Sequence, residues 1–169
     1  MRSMSHEPAQ HCEQPPPQLA TFRNDGYDQL VLVRAIPFRG SCGHQGTPVT
    51  GTAHVGYLPA ELMLGGAALG QLVEFFASRH QSQSLLTQMV AENLQAQLRP
   101  RGIGVMVEAE HSCMAPGCVT ATAPTSITWA LLGALRTAPS CREEFFALIR
   151  RYCHGIPGQH DHPGSGRDL

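Results

Sequence analysis

Ile103-Gly104-Val105-Met106-Val107 runs directly into Glu108-Ala109-Glu110-His111-Ser112-Cys113-Met114. The first five residues are apolar and β-rich, so they read as a strand with Ile103, Val105 and Val107 on one face. Side chains two apart on an extended backbone face the same side. His111 and Cys113 are therefore expected to point into one cavity at the end of that strand. A second thiol and imidazole lie far upstream, in Ser41-Cys42-Gly43-His44-Gln45. Two thiols and two imidazoles brought together from distant strand ends suit a metal site or a general acid/base site. The fold is expected to bring these two stretches together.

The chain outward from this stretch supplies a core and little else that is specialised. With 169 residues and 42% hydrophobic content, one globular domain is expected. A net charge of −1 gives no bulk field for nucleic acid or an anionic membrane. All twelve basic residues are Arg, which removes any Lys-based phosphate clamp or Schiff base. No apolar run reaches the roughly 18–20 residues that span a bilayer. Met1 to Gln18 is polar and Pro-rich and lacks a signal-peptide core, so a cytoplasmic, reducing setting is expected. The six cysteines (12, 42, 113, 118, 141 and 153) are scattered, which suits free thiols or metal ligands better than a disulfide framework.

Three segments follow from composition. Residues 1–25, with His6, His11, Cys12 and Pro15-Pro16-Pro17, are expected as a disordered arm. Residues 26–154 form the domain, and 155–169 a Gly/Pro tail whose histidines are solvated. Within the domain, Tyr27 to Phe38 is a strand that Pro37 limits to an edge or exit. Val49 to Tyr57 is a second strand, antiparallel to it. Gly65 to Ser78 and Ser82 to Leu98 carry apolar stripes at helical spacing, with Ser82 as a cap and Pro100 as a stop. Arg101 to Ala109 is the third strand, and a Thr-rich fourth lies within Val119 to Leu135. Ser140 and Glu143 match a capping box at the start of a last helix. The expected order is β-β-α-α-β-β-α, an α+β fold with a four-stranded antiparallel sheet and helices on one face. Its open edges favour a homo-oligomer.

Several of these stretches together resemble GTP cyclohydrolase I. The resemblance runs from about Tyr27 to Tyr152, and the text that carries it includes Leu30-Val31-Leu32-Val33-Arg34, His54-Val55-Gly56-Tyr57-Leu58-Pro59, Gln81-Ser82-Gln83, Val107 to Met114 and Arg142-Glu143-Glu144-Phe145. It implies the tunnelling fold, in which such units assemble into a barrel with sites between subunits. It implies a zinc ion held by Cys42, Cys113 and the residue at Gln45, where the family has histidine. It places the proton-transferring histidine at His111, and a second catalytic histidine at His44. Substrate contacts fall on Gln83 and Ser84. The implied reaction opens the imidazole ring of GTP with water, releases formate and closes a pterin ring, giving 7,8-dihydroneopterin triphosphate for the tetrahydrofolate pathway.

The resemblance also marks departures. Positions where the family holds the triphosphate with cations read Ala68, Gln71 and Gly117 here, and the serine before them reads Ala67. The guanine-reading glutamate reads Ser84, and the glutamate after the first cysteine reads Gly43. The family's N-terminal helical segment is mostly missing from the match. Hydrogen bonds to charged groups contribute roughly 1.5–3 kcal/mol each, so three lost cations weaken triphosphate binding by about 10³- to 10⁶-fold. The expectation is a zinc-dependent hydrolase for a purine-like or deazapurine-like heterocycle with altered substrate or reduced activity on GTP. The alternative is a non-catalytic scaffold or regulatory partner of an active relative.

Overall fold

The computed structural model describes residues 15–43, 46–112 and 124–153. Its frame is a sheet in which β2 (Val31–Cys42), β3 (Pro48–Leu58), β6 (Gly102–His111) and β7 (Thr125–Gly133) lie side by side, all antiparallel. One short piece extends it: β5 (His80–Gln81) pairs parallel to the end of β2. β1 (Thr21–Arg23) and β4 (Leu62–Leu64) form a separate ribbon.

Alternation along each strand separates two apolar layers. Phe38, Val49, Ala53, Val55, Tyr57, Ile103, Val105, Val107 and Ala109 face the helices α1 (Ala68–Ala77) and α2 (Gln83–Leu98), which contribute Leu69, Leu72, Val73, Phe76, Leu86, Val90 and Leu94. The intervening residues Leu58 and Met106 face the other way. There, Phe145 and Ile149 of α4 (Pro139–Cys153), with Leu135 of the short α3 (Ala134–Thr137), close a second, smaller cluster. Gly56 and Gly104 supply the niche for Phe145, since a Cβ on either would stand about 3 Å from its ring. The strand-strand-helix-helix-strand-strand order with one helical pair on one face is the tunnelling fold, with the C-terminal helix on the opposite face.

Several local expectations change. The first strand does not end at Phe38 but continues to Cys42. Pro37 is tolerated inside it because β2 is nearly an edge: among the described residues, its side away from β3 is paired only at Ser41 and Cys42, in β5. A bulge interrupts β2 between Val33 and Ile36, with Ala35 in the left-handed region at φ 55°. The backbone N–H of Ala35 donates to Nδ1 of the buried His54 at 3.4 Å.

The disordered arm expected over 1–25 is corrected from residue 15 onward; residues 1–14 lie outside the described residues. Leu19 is buried, its N–H donates to Gln97 Oε1 at 2.9 Å, and the amide of Gln97 returns a bond to Pro17 O at 3.0 Å. Composition could not show this, because the partner sits on α2. The tail 155–169 also lies outside the described residues. α1 starts at Ala68 rather than Gly65, consistent with the poor helix propensity of Gly65 and Gly66. The capping box at Ser140 is not used: α4 begins at Pro139, a residue pre-set for the first helical position. Ser82 does cap α2, its Oγ accepting from Leu85 N at 3.3 Å.

Candidate functional site

The ends of β2, β3 and β6 converge with the N-terminus of α2. Register sets which side chains meet there. Gly40 pairs with Val49, and Val49 with His111, so these three residues form one row across the sheet. Cys42 stands one strand repeat beyond Gly40 and His111 one repeat beyond Ala109. Both therefore lie on the helix-covered face, and both sit at the same end of it. Cys42 is 8% exposed. A cavity of about 20 Å³ opens here, lined by Phe38, Ser41, Arg79, Gln83, Leu86 and His111 among others. That is the volume of about one water.

His111 is half-buried, and its Nε2 lies 2.8 Å from Gln83 Oε1. Gln83 is the first residue of α2. Its amide nitrogen donates to Val107 O at 3.0 Å and Ser126 O at 3.1 Å, spanning from β6 to β7. The hydroxyl of Ser126 donates to Gln83 Oε1. Behind it, Thr87 Oγ1 donates to Gln83 O at 2.9 Å and stands 2.6 Å from Thr128 Oγ1. The carbonyl can only accept, so Thr87 spends its proton there and Thr128 donates to Thr87. Arg79 borders the cavity with its guanidinium over the Phe75 ring at 4.3 Å from the centroid.

Among the expected site residues, the structure thus brings Gln83 and His111 into contact and sets Cys42 on their face of the sheet. Ser84 goes elsewhere: it is exposed and lines a separate depression with Thr87, Gln88, Ile127, Thr128 and Trp129. His44, Gln45 and Cys113 lie outside the described residues. Ser126 and Thr87 were missed in the sequence because nothing in their spacing shows a hydroxyl meeting a residue on another element. The Thr-rich character of the fourth strand was the one available signal.

The sequence matches the family model for GTP cyclohydrolase I over residues 2–150. The chain belongs to that family. It is 38% identical over 127 residues to the GTP cyclohydrolase 1 of Sinorhizobium fredii, covering 75% of this chain and 62% of the relative. It is 41% identical over 124 residues to that of Gloeobacter violaceus, covering 73% and 58%. With the Nitrosospira multiformis enzyme it shares 38% over 153 residues, 89% of this chain and 80% of the relative. The chain thus spans about six tenths of the first two relatives. A solved structure, archaeosine synthase QueF-Like in the apo form, is similar at 17% identity and a TM-score of 0.44, covering 64% of this chain and 97% of that one.

Among the described residues, no three His, Cys, Asp or Glu side chains cluster as a metal site would require. The described part of the expected donor set is Cys42 alone. Chemically, two thiols and an amide still fit zinc, since thiolate is the preferred soft ligand and the amide oxygen a weak third. Nor is any described helix long and apolar enough to cross a membrane.

Proposed function

We propose that this protein is a GTP cyclohydrolase I-type hydrolase acting on a purine-type heterocycle in the cytoplasm, with a weakened grip on triphosphate. The observation that supports it most is the half-buried imidazole of His111 on the same face and at the same end of the sheet as the Cys42 thiol. Cys42, Cys113 and Gln45 would hold the zinc ion. When bound, zinc supplies a Lewis acid that makes hydroxide available near neutral pH. His111 carries a proton to and from the reacting ring, the role a positioned imidazole can fill. His44 is the second proton carrier. Gln83 and Ser84 were the expected substrate contacts; Ser84 stays available for one, being exposed beside Ile127 and Trp129. The cavity around His111 is largely apolar, and among the described residues that line it Arg79 is the one guanidinium. One guanidinium in the lining is a weak grip for a chain of phosphates.

The proposed unit is a homo-oligomer with sites between subunits. β7 supports it: the strand has β6 on one side, and its exposed face carries Ile127 and Trp129, 50% and 61% accessible. Unpaired strand edges with apolar side chains are what a second copy covers.

Metal analysis of untagged protein tests the reading. Near-stoichiometric zinc that disappears in Cys113→Ala is expected; protein wholly without zinc would favour the non-catalytic scaffold. Incubation with GTP, followed by oxidation and fluorescence, checks the substrate. Turnover far below that of the family's enzymes is expected, and pterin formed at ordinary rates would refute the weakened triphosphate grip.

A further inference from the structure

We propose that Gln83 is a positioning residue that holds the His111 imidazole in one tautomer, with Ser126 as its brace. The proposal deepens the reading of His111 as proton carrier and rests on it.

The argument is a count of hydrogen bonds. A primary amide has two N–H donors and one oxygen with two lone pairs. Both donors of Gln83 are spent on the carbonyls of Val107 and Ser126. Carbonyls cannot donate, so the nitrogen must be the atom facing them, and the amide cannot turn over. Its oxygen is thereby fixed toward Ser126 Oγ and His111 Nε2. The one proton of the Ser126 hydroxyl is shared between this oxygen and Ala109 O, which lies 3.2 Å from Ser126 Oγ.

The same orientation decides the proton on His111. An amide oxygen only accepts, so Nε2 of the neutral ring must carry the hydrogen. The lone pair then sits on Nδ1. Gln83 is itself held at the backbone, because Thr87 donates to its carbonyl from inside the protein and Thr128 donates to Thr87. Three elements therefore fix one ring: α2 supplies the amide, β6 carries the histidine and one carbonyl, and β7 supplies the brace.

The test is the exchange of the His111 Nε2 proton with water, read by NMR on ¹⁵N-histidine-labelled full-length protein as purified. The resonance is assigned by its loss in His111→Asn. A protected Nε2–H is expected in the wild type. Gln83→Ala should speed its exchange about fivefold or more, the worth of one neutral hydrogen bond. Ser126→Ala should speed it less, and Ser126→Thr, which keeps the hydroxyl, should restore the wild-type rate. Gln83→Met is the second probe if the alanine variant does not fold: an unbranched thioether of similar length is at most a weak acceptor for Nε2–H, so protection should again fall. A wild-type ring protonated at Nδ1, or exchange unchanged in the folded Gln83 variants, overturns the proposal. Zinc content and turnover do not enter this readout, so failure of the hydrolase reading and failure of the clamp are told apart.

Discussion

Gly51 lies in β3, between Phe38 of β2 and Ala109 of β6. A Cβ added there would sit 2.1 Å from Glu108 O, 2.9 Å from Ala109 Cα and 2.9 Å from Phe38 Cζ. The first two atoms are backbone in a paired neighbouring strand, so no rotamer change relieves the clash. Reaching ordinary contact requires the strands to part by more than about an ångström, which breaks ladder hydrogen bonds. Overpacking a core costs about 1–3 kcal/mol, and each lost ladder bond about 1 kcal/mol more. Gly51→Ala should therefore cost about 3 kcal/mol or more. Gly70, on α1, is the control: a Cβ there meets nothing within 4 Å, and a helical Gly→Ala change contributes roughly 0.5–1 kcal/mol of stability. Urea unfolding followed by circular dichroism, at one fixed protein concentration because an oligomer's stability depends on it, gives both values. One chemical change should thus have opposite signs at two positions. The strain at Gly51 is two residues from His111 along the ladder, so Gly51→Ala should also release the protected Nε2 proton. A Gly51→Ala midpoint equal to the wild type would refute the claim that packing against Glu108 excludes a side chain.

Two further outcomes follow from the opposite face of the sheet. Burial lowers the His54 pKa from its ordinary 6.5; the Glu108 carboxylate opposes this and the Arg34 guanidinium adds to it. The unfolded chain then binds the proton more readily than the folded one, so this contribution is whole above about pH 6.5 and is lost on acidification below it. The urea midpoint should fall between pH 7.5 and pH 5.5 by less in His54→Leu than in the wild type, and equal falls would remove His54 as a cause. Phe145 is fully buried against Gly56 and Gly104. Phe145→Ala should cost about 3–5 kcal/mol, measured by the same unfolding assay, and a loss under about 1 kcal/mol would mean that α4 does not pack as described.

The frame of the fold was legible because strand and helix periods are properties of neighbouring residues. Ile103, Val105 and Val107 alternate visibly, and Leu86, Val90 and Leu94 repeat at helical spacing, whatever they later touch. What escaped was decided by partners distant in sequence. Pro37 argues against a continuing strand until β2 is known to be nearly an edge. Phe22 and Arg23 look like part of a polar arm until β4 is beside them. The site divides in the same way. His111 and Cys42 could be placed on one face by counting residues along two strands, because the sheet register does the rest. The contact between Gln83 and His111 spans 28 positions, and that between Gln83 and Ser126 spans 43. No local pattern encodes either.

The proposed change of substrate would leave the scaffold intact, and the position of Gln83 gives the reason. The residues that fix His111 are joined to the sheet itself: Val107 and Ser126 are ladder residues, and Thr87 and Thr128 are packed between α2 and β7. Altering them would disturb strands that also form the core. Ala68 and Gln71 sit on α1, and Ser84 on the open side of α2, where a side chain can change with little cost to packing. Ala68 is the exception in being buried, yet it fills its place as a small helix former. Substitution at the exposed Gln71 and Ser84 would leave the imidazole where the sheet holds it. A hydrolase descended in this way would keep its proton carrier in register and lose affinity for anionic ligands first.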